Sequence, residues 1–241
     1  MKENMKKITT ILFDLDGTLI RMDQDRFIEL YFKSILGKLA SLGYDAALMY
    51  KALEESVRAT MRNDGSMLNE ERFWSTFSEY APGVRDAVKD VLDEYYANEF
   101  MGVINESCDG FARAKEIVEL AKSCGKRVIL ATNPLFPMVA TVNRMALSGL
   151  NPDDFDYVSA YENSSACKPN PTYFHELLGK LGISADECVM IGNDTRDDLS
   201  VSALGIPVFF LTECLINNTG MDISLHPHGG FDDLKAYIES L

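Results

Sequence analysis

One short stretch constrains this chain more than any other. The apolar run Ile11-Leu12-Phe13 ends abruptly in Asp14-Leu15-Asp16-Gly17-Thr18. Burying a carboxylate is costly, and a like charge nearby raises the cost. Residues i and i+2 of an extended chain point to the same side, so Asp14 and Asp16 would face one cavity. An Asp-Gly pair between apolar residues is also a hairpin signal. The next residues, however, are Thr18-Leu19-Ile20-Arg21 and then a helical pattern, with no evident partner strand. The stretch predicts a buried strand over 7–13 whose carboxyl end needs something to hold its charge.

The rest of the chain divides in two. From 21 to 107 the pattern is helical: 25–42, 45–62 with Asp45 as N-cap, 70–80, and 84–100 after Pro82-Gly83. From about 112 onward strands and helices alternate. Helices are expected at 112–124, 136–148, 171–181, 197–204 and 231–240, and strands at 127–131, 157–160, 187–191 and 207–211. Asn170 before Pro171 is a favoured helix start. This alternation implies parallel βαβ units, hence an α/β fold with a doubly wound, Rossmann-like parallel sheet. The expected division is a core of 1–20 and 108–241 carrying an inserted all-helical unit at 21–107.

The 241 residues carry 23 basic and 37 acidic side chains, a net charge of -14. Such an acidic surface argues against nucleic-acid and anionic-membrane partners. A phosphate site would therefore need its own local positive charge. The five cysteines form no CxxC pair, which fits a reducing compartment. The start MKENMKKITTILF resembles a signal peptide until Asp14 and Asp16 cut the apolar run short. No stretch is long and apolar enough to span a bilayer, so a soluble, cytoplasmic protein is expected.

Ligands of open parallel sheets bind at the carboxyl ends of the strands. Those ends carry Asp14 and Asp16, then Thr132-Asn133, then Lys168-Pro169, then Gly192-Asn193-Asp194-Thr195-Arg196-Asp197-Asp198. Each has an ordinary structural explanation. Thr195-x-x-Asp198 fits a helix capping box, Lys168 a solvated loop lysine, and Thr132-Asn133-Pro134 a turn. Asp194 lies ahead of that cap, where capping does not account for it. Together the four clusters point to one chemistry. Carboxylates at strand ends suit magnesium, which prefers oxygen and bridges one or two carboxylates to phosphate. A lysine, a hydroxyl and an amide suit phosphoryl oxygens.

These segments, in this order, resemble the haloacid dehalogenase superfamily: DLDGTL its first motif, LATN its second, Lys168-Pro169 its third and GNDTRDD its acidic fourth. The likeness is to the phosphatase-type, phosphoglycolate phosphatase-like members with a C1 helical cap, here 21–107. The resemblance implies that Asp14 is a nucleophile forming an aspartyl-phosphate and that Asp16 is the general acid and base. It implies a magnesium ion held by the Asp14 side chain, the Asp16 backbone carbonyl and the Asp194 side chain, with Asp198 behind it. Thr132, Asn133 and Lys168 would then bind the phosphoryl group. Asp197 and Asp198 both stand as candidates for the second acidic role.

The expected function is a magnesium-dependent phosphohydrolase acting on a small phosphorylated metabolite. A beta-phosphoglucomutase-like phosphomutase and a non-catalytic phosphate-binding module are the alternatives. The insert says least about substrate. Arg21, Arg26 and the Arg62-Asn63-Asp64-Gly65 loop either reach the site or form a solvated face. Trp74 and Phe77 are read as core of the insert, and His226-Pro227-His228 as a loop without a third metal ligand. Cys167 has no histidine near it in sequence to make it a nucleophile.

Overall fold

The computed structural model describes residues 7–241, so the first six residues of the expected core segment lie outside the described residues. The opening strand, β1 (Thr10–Phe13), is buried at all four positions because it lies mid-sheet. β4 (Arg127–Leu130) and β6 (Cys188–Gly192) flank it in parallel, with Thr10 opposite both Arg127 and Cys188. β5 (Tyr157–Val158) extends the sheet beyond β4; β7 (Val208–Leu211) and β8 (His228–Gly229) extend it beyond β6. The resulting order is β5-β4-β1-β6-β7-β8.

The two faces follow the period of two that a strand imposes. Ile11 and Phe13, with Val128, Leu130, Val189 and Ile191, pack under α6 (Ala114–Ser123) and α9 (Phe231–Ser240). Leu12, Ile129, Met190 and Phe210 face α8 (Pro171–Leu181) on the other side. Each such side chain contributes about 1.5–3 kcal/mol when fully buried. That burial holds the strand in place although it ends in carboxylates. α8 starts as expected, the Asn170 side chain accepting from the Thr172 N–H ahead of Pro171.

Between the first strand and the rest of the sheet stand five helices with their own apolar core: α1 (Gln24–Ser41), α2 (Ala46–Met61), α3 (Asn69–Tyr80), α4 (Arg85–Asn98) and α5 (Phe100–Ser107). The Asp45 side chain caps α2 as expected, accepting from Leu48 N–H at 2.7 Å. The expectation of a single helix over 84–100 is corrected. α4 ends at Asn98, whose side-chain amide turns back to Glu94 O, and α5 restarts at Phe100 in the insert's aromatic core.

Three further expectations change. The chain does turn tightly after Asp16, Gly17 N–H donating to Ile20 O at 2.7 Å. The strand that leaves, β2 (Ile20–Met22), pairs antiparallel with β3 (Cys108–Gly110) from the far end of the insert. That partner is invisible locally, so this two-stranded ribbon joins the chain's entry to and exit from the helical unit. The 197–204 helix is only a 3-10 turn over Leu199–Leu204. His228, expected in a loop, lies in the two-residue edge strand β8 opposite Phe210; a strand this short leaves no periodicity to read.

Candidate active site

The parallel register of β1, β4 and β6 brings the expected residues to one sheet edge. Glycines let the loops close on each other there. Gly17 has φ +93°, and a Cβ on it would fall 2.2 Å from Asn193 Nδ2. Thr18 Oγ1 donates to Asn193 Oδ1 at 3.1 Å, joining the first loop to the fourth. A Cβ on Gly192 would fall 2.1 Å from Asp198 Oδ2.

That space is used by Asp198 itself. Its Oδ2 accepts from the backbone N–H groups of Asn193 and Asp194 at 2.9 and 3.0 Å, and its Oδ1 accepts from Lys168 Nζ at 2.7 Å. The capping-box reading of Thr195-x-x-Asp198 is therefore wrong: Thr195 Oγ1 turns to Asn217 and Thr219 instead. The cap is Asp194, which corrects its reading as a residue outside the cap: its Oδ1 accepts from the N–H groups of Arg196 and Asp197 at 2.7 and 3.1 Å. Asp197 accepts from Asn133 Nδ2 at 3.2 Å.

Lys168 is no solvated lysine. It is buried, and its ammonium bridges Asp198 and Asp14 Oδ1, the latter at 3.0 Å. Burial works against that ammonium, but Asp14 and Asp198 outweigh it and hold its pKa above the usual lysine range. Burial pushes the Asp14 carboxyl up to about 7; Lys168 opposes this, and the nearby Asp198 and Asp16 reinforce it. Thr132 Oγ1 and Asn133 Oδ1 are buried without hydrogen-bond partners. The Thr132 hydroxyl has a proton to offer a ligand, whereas Asn133 Oδ1 can only accept one.

Two residues that sequence reasoning missed complete the site. Arg144, on α7 (Met138–Ala146), is buried with its Nη1 donating to Asp16 Oδ2. Nε donates to Ala140 O and Nη2 to Thr141 Oγ1, both at 3.3 Å, and the guanidinium lies over the Phe136 ring at 5.1 Å. The signal was available: Ala140, Thr141, Arg144 and Met145 share the buried face of α7. The other Asp16 oxygen, Oδ1, is buried and unpaired. Asn69 of α3 donates to Pro134 O and Ala166 O, both at 3.2 Å, tying the insert to the loops that carry Asn133 and Lys168. Nothing in the sequence marks its distant partners.

Asp14, Asp16, Asn133, Lys168, Asp194, Asp197 and Asp198 line one cavity of about 370 Å³ that continues into the helical insert. Arg21, Arg26 and Arg62 do not line it. Arg21 lies over Phe111, Arg26 faces Glu29 and Glu106, and Asn63 is buried against Asn69 and Met67 O. Phe77 is core, as expected; Trp74 is core and also lines the cavity, which corrects its reading as core alone. Burial pushes the Cys167 thiol up to about 12, far from a thiolate at neutral pH. His226 packs on Phe210 at the sheet edge.

Among the described residues no three His, Cys, Asp or Glu side chains form a group able to hold an ion unaided. The donors at the cavity floor still suit magnesium, which needs only one or two carboxylates and keeps its waters. Among the described residues, no hydrogen bond takes Asp14 Oδ2 or Asp194 Oδ2.

Residues 8–205 match the model of the haloacid dehalogenase-like hydrolase family. The phosphoglycolate phosphatase of Yersinia pestis is 26% identical, covering 86% of this chain and 82% of that protein. That of Colwellia psychrerythraea is 25% identical, covering 100% and 99%. Among solved structures, CbbY from Rhodobacter sphaeroides in complex with phosphate superposes with a TM-score of 0.57 at 18% identity, covering 94% of this chain and 99% of that one. No helix among the described residues is long and apolar enough to cross a membrane. With the α/β core, its helical insert and a family match over most of the length, the chain belongs to the haloacid dehalogenase-like hydrolases.

Proposed function

We propose that the protein is a magnesium-dependent phosphohydrolase of small phosphate esters, working through an aspartyl-phosphate. The observation that carries the reading is the floor of the cavity. Asp14 and Asp16 stand side by side there, with Lys168 Nζ 3.0 Å from Asp14 and Arg144 on Asp16. The division into a catalytic core (1–20 and 108–241) and a cap (21–107) belongs to the same proposal. So does a cytoplasmic location, supported by five free cysteines.

In this mechanism the Asp14 carboxylate attacks phosphorus and the bond to the ester oxygen breaks. Asp16 acts as the general acid, giving a proton to the departing oxygen. The ionised Asp16 then takes a proton from water, which attacks phosphorus. The bond to Asp14 breaks, and inorganic phosphate leaves. Lys168 holds Asp14 in place and faces the phosphoryl charge; Thr132 Oγ1 donates to one of its oxygens, and Asn133, whose Nδ2 already serves Asp197 and Lys168 O, donates through its backbone N–H. Preorganised donors of this kind supply most of the rate in phosphoryl transfer. Asp14, the Asp16 carbonyl and Asp194 would hold magnesium, which when bound neutralises phosphoryl charge. Asp198, which grips Lys168 and two backbone N–H groups, fills the second acidic role better than Asp197.

A phosphomutase would need hydrogen-bonding groups for sugar hydroxyls beyond the carboxylates, where this cavity is mostly ringed by aromatic and aliphatic side chains. A binding module would have no use for an intact pair of aspartates. The test is phosphate release from p-nitrophenyl phosphate with magnesium, with EDTA, and by Asp14→Asn. Release that needs magnesium and disappears in the variant is expected. Release that survives Asp14→Asn would remove Asp14 as nucleophile.

A further inference from the structure

We infer that the alcohol carried by this enzyme's substrate is an apolar chain or ring rather than a short anionic acid; the inference rests on the phosphohydrolase reading above.

The cavity has two halves of opposite character. Beyond the carboxylate floor its walls are rings: Phe27 and Tyr31 from α1, Phe73 and Trp74 from α3, Tyr96 from α4, and Phe136 from the loop after β4. Phe136 meets Phe27 and Tyr31 edge-on at 5.7 and 5.5 Å. The Tyr31 and Tyr96 hydroxyls hydrogen-bond each other at 2.6 Å, which leaves one of the two protons to offer, and Trp74 Nε1 is buried without a partner; these donors are neutral. Val57, Met61 and Leu92 fill the gaps.

Charge decides what fits. Among the described residues, the cations lining the cavity are Lys168 and Arg144, and both are already paired with carboxylates. Six aspartates line it: Asp14, Asp16, Asp93, Asp194, Asp197 and Asp198. A phosphate can share Lys168 and a magnesium ion at the floor. A second anion on the same small molecule, such as the carboxylate of phosphoglycolate, would sit among rings and aspartates with no unpaired cation to meet it, and buried charge without a counter-charge is strongly disfavoured. An apolar group would instead cover rings and methyls now facing an opening. Ile28 and Met61, at 52% and 47% exposure, both line the cavity and leave apolar surface open to solvent. At about 370 Å³ the space matches small-molecule sites, which run from about 300 Å³ upward.

The chain carries its own reporter. Its single tryptophan, Trp74, is in the cavity wall. The experiment compares n-octyl phosphate and 2-phenylethyl phosphate with phosphoglycolate, by phosphate release from the full chain with magnesium and by Trp74 emission in titrations of Asp14→Asn. The expected result is a kcat/KM for both apolar esters about 100-fold or more above that for phosphoglycolate, where each tenfold is about 1.4 kcal/mol. A saturable emission change with n-octyl phosphate and none with phosphoglycolate should accompany it. Met61→Arg, at a half-exposed position that tolerates charge, should move the preference at least about tenfold toward phosphoglycolate by supplying the missing cation. Equal or better turnover of phosphoglycolate by the unaltered chain would overturn the inference and leave the phosphohydrolase reading intact. If no ester releases phosphate, that reading fails and the emission titration decides alone. A selective change with n-octyl phosphate supports the apolar site; no change with either ligand, or an equal change with both, overturns it.

Discussion

Around Lys168 charged groups are paired: ammonium between two carboxylates, Asp198 between ammonium and backbone N–H groups, Asp16 on Arg144. On the opposite wall of the same cavity, Phe136 meets Phe27 and Tyr31 edge to face, and the Tyr31 and Tyr96 hydroxyls hydrogen-bond each other. The floor is held by electrostatics in a buried setting, where removing one member leaves the others exposed to the full penalty of desolvation. The wall is held by packing, which yields by degrees. Chemistry that must not vary is placed where the structure is least forgiving, and recognition is placed where it can be retuned.

The largest effect is therefore expected at the floor. Lys168→Ala removes the cation between Asp14 and Asp198 and leaves two buried carboxylates facing each other. Breaking a buried pair in this way costs about 3–5 kcal/mol. We expect a matching fall in the urea midpoint, together with loss of phosphate release. Phe136→Leu on the wall should cost less, since the side chain stays apolar and only part of its volume is lost. If the two variants unfold at the same urea concentration, the contrast between floor and wall is broken.

Arg144 belongs to both regions, pairing with Asp16 while stacked on Phe136. Arg144→Lys keeps the charge but loses the planar fork and the stacking. General acid catalysis contributes about 10²–10⁴-fold, so a poorly held Asp16 should lower kcat by about 10²-fold with little change in KM. The limb of the pH–rate profile that reports the acid should shift as well. A fall in thermal stability alone, with kcat and profile unchanged, would make Arg144 a packing residue only.

The floor is legible in sequence and the wall is not, for a physical reason. Catalytic groups sit on short loops after strands, so Asp14-x-Asp16-Gly17 and Gly192-Asn193-Asp194 announce themselves by local spacing. Parallel pairing then brings the loops together without further information. Lys168 and Asp198, taken singly, fit commoner roles, and only their mutual distance removes those. The wall draws one or two residues from each helix, and amphipathic periodicity marks them all as core. Trp74 reads as core for that reason, and a cavity lined by core residues has no signature of its own. Arg144 shows what is recoverable: a charged residue on the buried face of an amphipathic helix. The ribbon of β2 and β3 is not, because its strands come from opposite ends of the insert.

The smallest effect tests the floor without mutation. The Asp14 carboxyl is pushed up to about 7, chiefly by burial. Between the ordinary carboxylate range and that value the folded chain binds more protons than the unfolded one. Stability without metal must then fall as pH rises through about 7, because the site must hold an ionised carboxylate that water would solvate better. A cation bound to the ionised form reverses part of this loss. At ten times its Kd an ion that binds only the folded state adds about 1.4 kcal/mol. At pH 5.5 the proton competes for the same oxygens, which weakens the ion and shrinks the gain. Thermal unfolding with magnesium and with EDTA should therefore separate by a few degrees at pH 8 and nearly coincide at pH 5.5. Asp14→Asn, which carries no proton to lose, should flatten the dependence on both pH and magnesium. A magnesium shift that is the same at both pH values would place the ion away from Asp14.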